Sequence, residues 1–222
     1  MKNTIIIPYR NRQEHLDFFL ENSAPKILLN ENFDILIIEQ DNNKLFNRGV
    51  LINIGFLNTN SNFIITHDVD LNPTDKSIPF YNINKSIFGI YTSSSNTLGG
   101  IVKISKEHFN KINGFPNNYW GWGCEDKALQ NRAEHYDIDI EKNILNKDHN
   151  KDEFFKIFNN INDRVRDSHF NKKTNFEYHL FKKNNFNKKE EYIKKSGLNN
   201  IKYKIIEKKE ISYKVNKLKV KI

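Results

Sequence analysis

Thr4-Ile5-Ile6-Ile7-Pro8 is the stretch from which the fold of this chain is read. A strand with one wet face alternates polar and apolar residues. An unbroken β-branched run marks a strand buried on both faces, as in a parallel sheet. Pro8, which carries no backbone donor, is expected to end it. A mixed helix is expected from about Gln13 to Leu29, and Phe33 to Ile38 repeats the buried-strand pattern. Val50 to Phe56 has helical spacing with Asn47 as a candidate cap, and Asn62-Phe63-Ile64-Ile65-Thr66 reads as a third strand. Strand, helix, strand, helix, strand predicts an α/β fold with a largely parallel sheet.

In such sheets ligands bind beyond the carboxyl ends of the strands. Three polar clusters fall there: Pro8-Tyr9-Arg10-Asn11-Arg12, Phe46-Asn47-Arg48 and His67-Asp68-Val69-Asp70. Arginine forks match phosphate oxygens, and carboxylates suit a hard cation such as Mn²⁺ or Mg²⁺. If the segment is extended, Asp68 and Asp70 point apart across Val69, one toward metal and the other toward sugar or ribose hydroxyls. Asp is also common in turns after strands, so the pair alone decides nothing. Joined to two Arg clusters at matching strand ends, it describes a site for a diphosphate and a divalent cation.

Further along, Asn117-Asn118-Tyr119-Trp120-Gly121-Trp122-Gly123-Cys124-Glu125-Asp126 follows Gly114-Phe115-Pro116. Two readings fit. One is a tight turn with a buried Trp pair and a helix N-terminus, where acids are favoured. The other is a sugar site: indole faces stack on the apolar face of a pyranose, and a carboxylate takes the proton of an attacking hydroxyl.

Composition narrows the classes. At 222 residues the chain can form one domain with a real core, and 37% apolar residues with 17 Phe and 9 Tyr give a globular composition. The net charge of +8 comes with Lys concentrated in the last third, as at Lys182-Lys183 and Lys188-Lys189. That fits a solvated basic surface, since no nucleic-acid module accompanies it. The single cysteine, Cys124, allows no intrachain disulfide and suits a reducing compartment. No apolar run approaches the ~18 residues of a membrane span, and no signal-peptide pattern opens the chain, so a soluble, cytoplasmic protein is expected.

Ile5 to Leu16, Phe46-Asn47-Arg48-Gly49, Asp68-Val69-Asp70-Leu71, Gly99-Gly100, Gly114 to Asp126, and Ser196-Gly197-Leu198-Asn199-Asn200 with Tyr203 resemble the β-1,4-galactosyltransferase family in order and approximate spacing. The resemblance implies a GT-A fold and an inverting, Mn²⁺-dependent transferase. Its substrates would be a UDP-sugar donor and a glycan, glycolipid or glycoprotein acceptor. It implies that Pro8, Arg10, Asn11, Arg12, Phe46, Asn47 and Arg48 hold the nucleotide and its phosphates, with Asp68, Val69, Gly99 and Gly100 beside the donor. Asp70 would ligate the metal. Trp122, Gly123, Glu125 and Asp126 would form the acceptor and donor-sugar site, with Asp126 as general base. Residues 1–142 would carry the nucleotide-sugar-binding and catalytic core, and 143–222 would complete the same domain.

The sequence departs from the family pattern at Cys124, where many members have Gly, and at Lys127-Ala128, where further acids are usual. Thr97 stands where galactose-transferring members often carry Tyr, which leaves room for an N-acetyl group on the donor. His149 and His169 are both candidates for the remaining metal ligand; choosing His169 requires an insertion between Asp139 and Asp163. Two other readings stay open: a polysaccharide hexosaminyltransferase of chondroitin or capsular type, and a glycan-binding module without turnover.

Overall fold

The computed structural model describes residues 1–92, 96–143, 151–158, 165, 170–183 and 185–222. Strand β1 (Asn3–Tyr9) lies near the middle of an eight-stranded sheet. β2 (Phe33–Gln40) and β3 (Phe63–His67) flank it, both parallel. Ile6 enters one apolar cluster and Ile5 and Ile7 the other, so the run has no wet face. The strand does not end at Pro8 but continues to Tyr9. The ladder to β3 stops at Ile6 while that to β2 goes on to Glu39, and proline is tolerated where one side of a strand is bare.

The helix expected over 13–29 is a helical run in three pieces: α1 (Gln13–Phe18), a π turn (Phe19–Ser23) and α2 (Ala24–Leu28). Pro25, in the first turn of α2, has no N–H to return to the turn before it, which favours the break. This run covers the sheet face that holds Ile5 and Ile7. The opposite face is covered by α3 (Arg48–Leu57), where Gly55 packs so closely on Ile6 that an added Cβ would collide with Ile6 Cγ2. Asn47 caps α3 as expected, its side chain accepting from Val50 N at 3.0 Å.

After β3 come β4 (Leu71–Pro73), α4 (Ile78–Tyr81), β5 (Ile87–Tyr91), β6 (Ile101–Ser105), α5 (Lys106–Lys111), α6 (Glu125–His135) and β7 (Ile140–Lys142). The rest comprises α7 (Lys151–Phe154), β8 (Phe155–Ile157), α8 (Phe170–Lys182), α9 (Phe186–Lys194), β9 (Lys204–Ser212) and β10 (Val215–Lys221). The sheet order is β7-β5-β6-β3-β1-β2-β10-β9. β10 joins β2 in parallel, whereas β6 is antiparallel to β3 and β9 to β10, so the sheet is mixed and mostly parallel around β1. No helix among the described residues is long and apolar enough to cross a membrane.

Candidate active site

Because β1, β2 and β3 run in parallel, their carboxyl ends share one edge of the sheet, and the chain leaves β1 toward neighbours on opposite sides. That is the switch point at which an α/β sheet opens a crevice. β6 starts at the same edge, with Ile101 opposite His67, which brings Gly99 and Gly100 there as well. The edge therefore gathers Arg10 and Arg12, Asn47 and Arg48, Asp68 and Asp70, and the N-terminus of α6 with Glu125 and Asp126.

Arg48 is the hub. Its Nε lies 2.6 Å from Asp68 Oδ1 and its Nη1 2.8 Å from Asp126 Oδ1, and Nη2 donates to Gly100 O at 3.3 Å. Burial works against its charge, but Asp68, Asp126 and Glu125 more than offset this, and the guanidinium is held protonated. The fork expected for phosphate is thus engaged by two carboxylates. Arg10 donates to Lys44 O at 2.6 Å with its guanidinium 5.5 Å from the centre of the Phe46 ring. Asn47 is fully buried: besides capping α3 it donates to Asn117 O at 3.0 Å, so it ties this edge to the Trp loop.

The Asp68–Asp70 segment is a turn, not extended: Leu71 N donates to Asp68 O at 3.1 Å. Strand alternation therefore does not apply, yet the two carboxylates diverge, Asp68 to Arg48 and Asp70 to Arg12 at 3.3 Å. Burial, followed by the like charge of Asp68, pushes the Asp70 carboxyl up, with Arg12 pulling the other way. A cation at Asp70 would relieve that repulsion, and hard carboxylate oxygen suits Mn²⁺ or Mg²⁺, so the residues fit such an ion. Among the described residues no group of three or more His, Cys, Asp or Glu is placed to hold a metal ion, and His149 and His169 both lie outside them. His67 is spent elsewhere, its Nδ1 2.9 Å from Asp68 O and its Nε2 2.9 Å from Tyr81 Oη. Burial takes its pKa down to about 4, so it is neutral.

Asp126 is held well above the usual carboxylate range by burial, with Arg48 acting against this and Glu125 and Asp68 adding to it. Its side chain keeps 27% exposure. Gly99 leaves space against it, since a Cβ there would stand 2.5 Å from Asp126 Oδ2. Beside it, Glu125 Oε2 is buried without a hydrogen-bond partner. Cys124, at φ 67°, occupies the left-handed region where glycine is at ease.

The Trp pair is not buried together. Trp122 is 43% exposed, while Lys44 Nζ stands 5.1 Å from the centre of the Trp120 ring. Gly121 N donates to Phe46 O at 2.8 Å, which sets the loop against the chain that follows β2. Asn53 and Arg132, which sequence reading passed over, hold this loop in place together with Asn117, which opens it. Asn53 on α3 clamps Phe115, donating to its O at 2.8 Å and accepting from its N at 2.9 Å. Asn117 donates to Gly197 O at 2.8 Å. Arg132 on α6, fully buried, donates to Gly114 O at 2.9 Å and Ser196 O at 2.6 Å. An arginine at a core-facing position of an otherwise apolar helix stripe is the signal that could have found it.

Residues 1–82 match the family described as the N-terminal region of glycosyl transferase group 7, and residues 81–155 that described as the N-terminal domain of galactosyltransferase. Beta-1,4-galactosyltransferase 4 of Cricetulus griseus is 36% identical over 152 residues, covering 62% of this chain and 44% of that protein. The beta-N-acetyl-D-glucosaminide beta-1,4-N-acetylglucosaminyl-transferase of Lymnaea stagnalis is 38% identical over 160 residues, covering 65% of this chain and 32% of that protein. The chain therefore spans less than half the length of these curated relatives. A crystal structure of a Drosophila beta-1,4-galactosyltransferase 7 mutant with manganese, UDP-Gal and xylobiose superposes with a TM-score of 0.78 at 28% identity, covering 100% of this chain and 94% of that one.

Proposed function

The chain belongs to the β-1,4-galactosyltransferase family, and from that premise we propose that it is an inverting glycosyltransferase that moves a hexose from a UDP-sugar to a sugar hydroxyl in β-1,4 linkage. The observation that carries the reading is Arg48 bridging Asp68 and Asp126, which fixes the donor edge and the base in one arrangement. Arg10 and Arg12 would turn their guanidinium forks to the donor diphosphate. Asp70 would hold a divalent cation, which when bound would offset charge gathering on the leaving diphosphate. Trp122 offers its exposed face to the acceptor, and Glu125 Oε2 accepts from a sugar hydroxyl. Asp126 takes the proton of the attacking hydroxyl while its oxygen bonds to the anomeric carbon and the bond from that carbon to the diphosphate breaks. The acceptor proton ends on Asp126 and UDP leaves.

The solved relative bound to manganese and UDP-Gal supports the donor class. The Lymnaea relative, named for N-acetylglucosamine transfer, together with Thr97 next to Leu98 and Gly99, supports room for an N-acetylhexosamine. One cysteine suits a reducing, cytoplasmic setting, which fractionation of the producing cell would test. The function is tested by UDP release with UDP-Gal, UDP-GalNAc and UDP-GlcNAc in turn, each with acceptor and Mn²⁺. Turnover that stops on chelation is expected, with at least one N-acetylated donor used. Exclusive use of UDP-Gal would reject the Thr97 argument, and metal-independent or absent turnover would reject the assignment.

A further inference from the structure

The face of α6 turned away from Arg48 borders a cavity of ≈ 520 Å³ against α8 and α9, within the roughly 300–1,000 Å³ of ligand pockets. Cys124, just before Glu125, lines its near end, and Lys127 follows Asp126 directly. From there it runs along the 11 residues of α6 to His135, about 16 Å at helical rise. That is space for sugars beyond the one that reacts.

Its walls are aromatic and basic. Tyr178 and Phe181 supply rings on which sugars stack. Lys182 Nζ lies 5.4 Å from the centre of the Tyr178 ring and Lys189 Nζ 5.9 Å from that of Phe181. Neither these two lysines nor Lys127 makes an ion pair among the described residues. Two acids share the lining, so the three lysines outnumber them: Glu177 accepts through Oε2 from Tyr119 and from Tyr192 while its Oε1 is buried without a partner, and Glu134 accepts from Gln130 at 2.6 Å. Burial, then Lys189, lower the pKa of His135, with Glu190 and Asp137 acting the other way. We propose that this cavity is an extended acceptor subsite that selects glycans bearing a carboxylate or phosphate, a proposal that rests on the transferase reading above. Among the described residues the ammonium groups of Lys182 and Lys189 meet only ring faces and, for Lys182, the Tyr178 hydroxyl at 3.3 Å; a neutral chain would offer them hydroxyls alone, whereas an anion pairs with their charge.

Calorimetric titration of the full chain with three tetrasaccharides tests this: one of alternating glucuronate and N-acetylglucosamine, its carboxyl-reduced neutral form, and a neutral chito-oligosaccharide phosphorylated on one sugar. At least one charged form is expected to bind about tenfold tighter than the neutral ones, and K182E/K189E to erase that preference while still binding the neutral form. Which charged form is preferred identifies the anion. Equal affinity for charged and neutral forms overturns the proposal, as does a preference that survives in K182E/K189E. Because binding is read without turnover, an inactive wild-type chain would reject the transferase reading and leave the subsite to be judged on affinity alone.

Discussion

Asp126→Asn is expected to lower kcat by about 10²- to 10⁴-fold, the range for removing a positioned general base, with UDP affinity unchanged. The amide oxygen can still accept from Arg48 Nη1, so the fold should survive and the loss should lie in the chemical step. The same residue sets the acid limb of the pH profile. A base works only when deprotonated, and burial, Glu125 and Asp68 raise Asp126 against the opposing pull of Arg48. Activity should therefore rise with pH through a midpoint above the ordinary ~4 of an aspartate, and this limb should be absent from the residual activity of D126N. Steady-state rates across pH for both proteins check the prediction. A D126N enzyme with wild-type kcat would assign the base elsewhere.

Arg48→Met is expected to cost about 3–5 kcal/mol of stability, because it removes the cation from between two carboxylates that are themselves mostly buried. For a chain of this size that is on the order of 10 °C in Tm, readable by calorimetry. In whatever folds, Asp126 loses the neighbour that holds its carboxyl down, so the acid limb should move further toward high pH. Arg48→Lys keeps the charge but not the fork that spans Asp68, Asp126 and Gly100 O, and should fall between the two. An unchanged Tm in R48M would show that the bridge contributes nothing to the fold.

The sequence made some of this legible for physical reasons. The Ile5-Ile6-Ile7 run admits only a strand covered on both faces, and Asn47 ahead of an apolar helical stripe admits a cap; both are local signals, and both match the structure. The gathering of the Arg and Asp clusters was legible because strand polarity alone sends them to one edge. What local pattern could not carry is how these groups pair. Arg48 reads as a phosphate fork in sequence, yet it meets Asp126 from 78 positions away. Arg132 and Asn53 hold the Trp loop by reaching backbone carbonyls, which leave no trace in side-chain pattern. The turn at Asp68 and the passage of β1 through Pro8 depend on where neighbouring ladders stop. The Lys- and Asn-rich C-terminal part hid α8, α9 and the charge-rich, exposed β9, which pairs with β10 and its buried Val215, Leu218 and Val220.

The central claim is that Asp126 delivers an acceptor oxygen to the anomeric carbon on the face opposite the departing diphosphate. The most direct measurement is the anomeric configuration and linkage of the purified product by NMR, starting from an α-linked UDP-sugar and the acceptor that turns over fastest. A β-1,4-linked product, formed by the wild type and at least about a hundredfold more slowly by D126N, is the expected result; an α-linked product, or equal rates from both proteins, would contradict it.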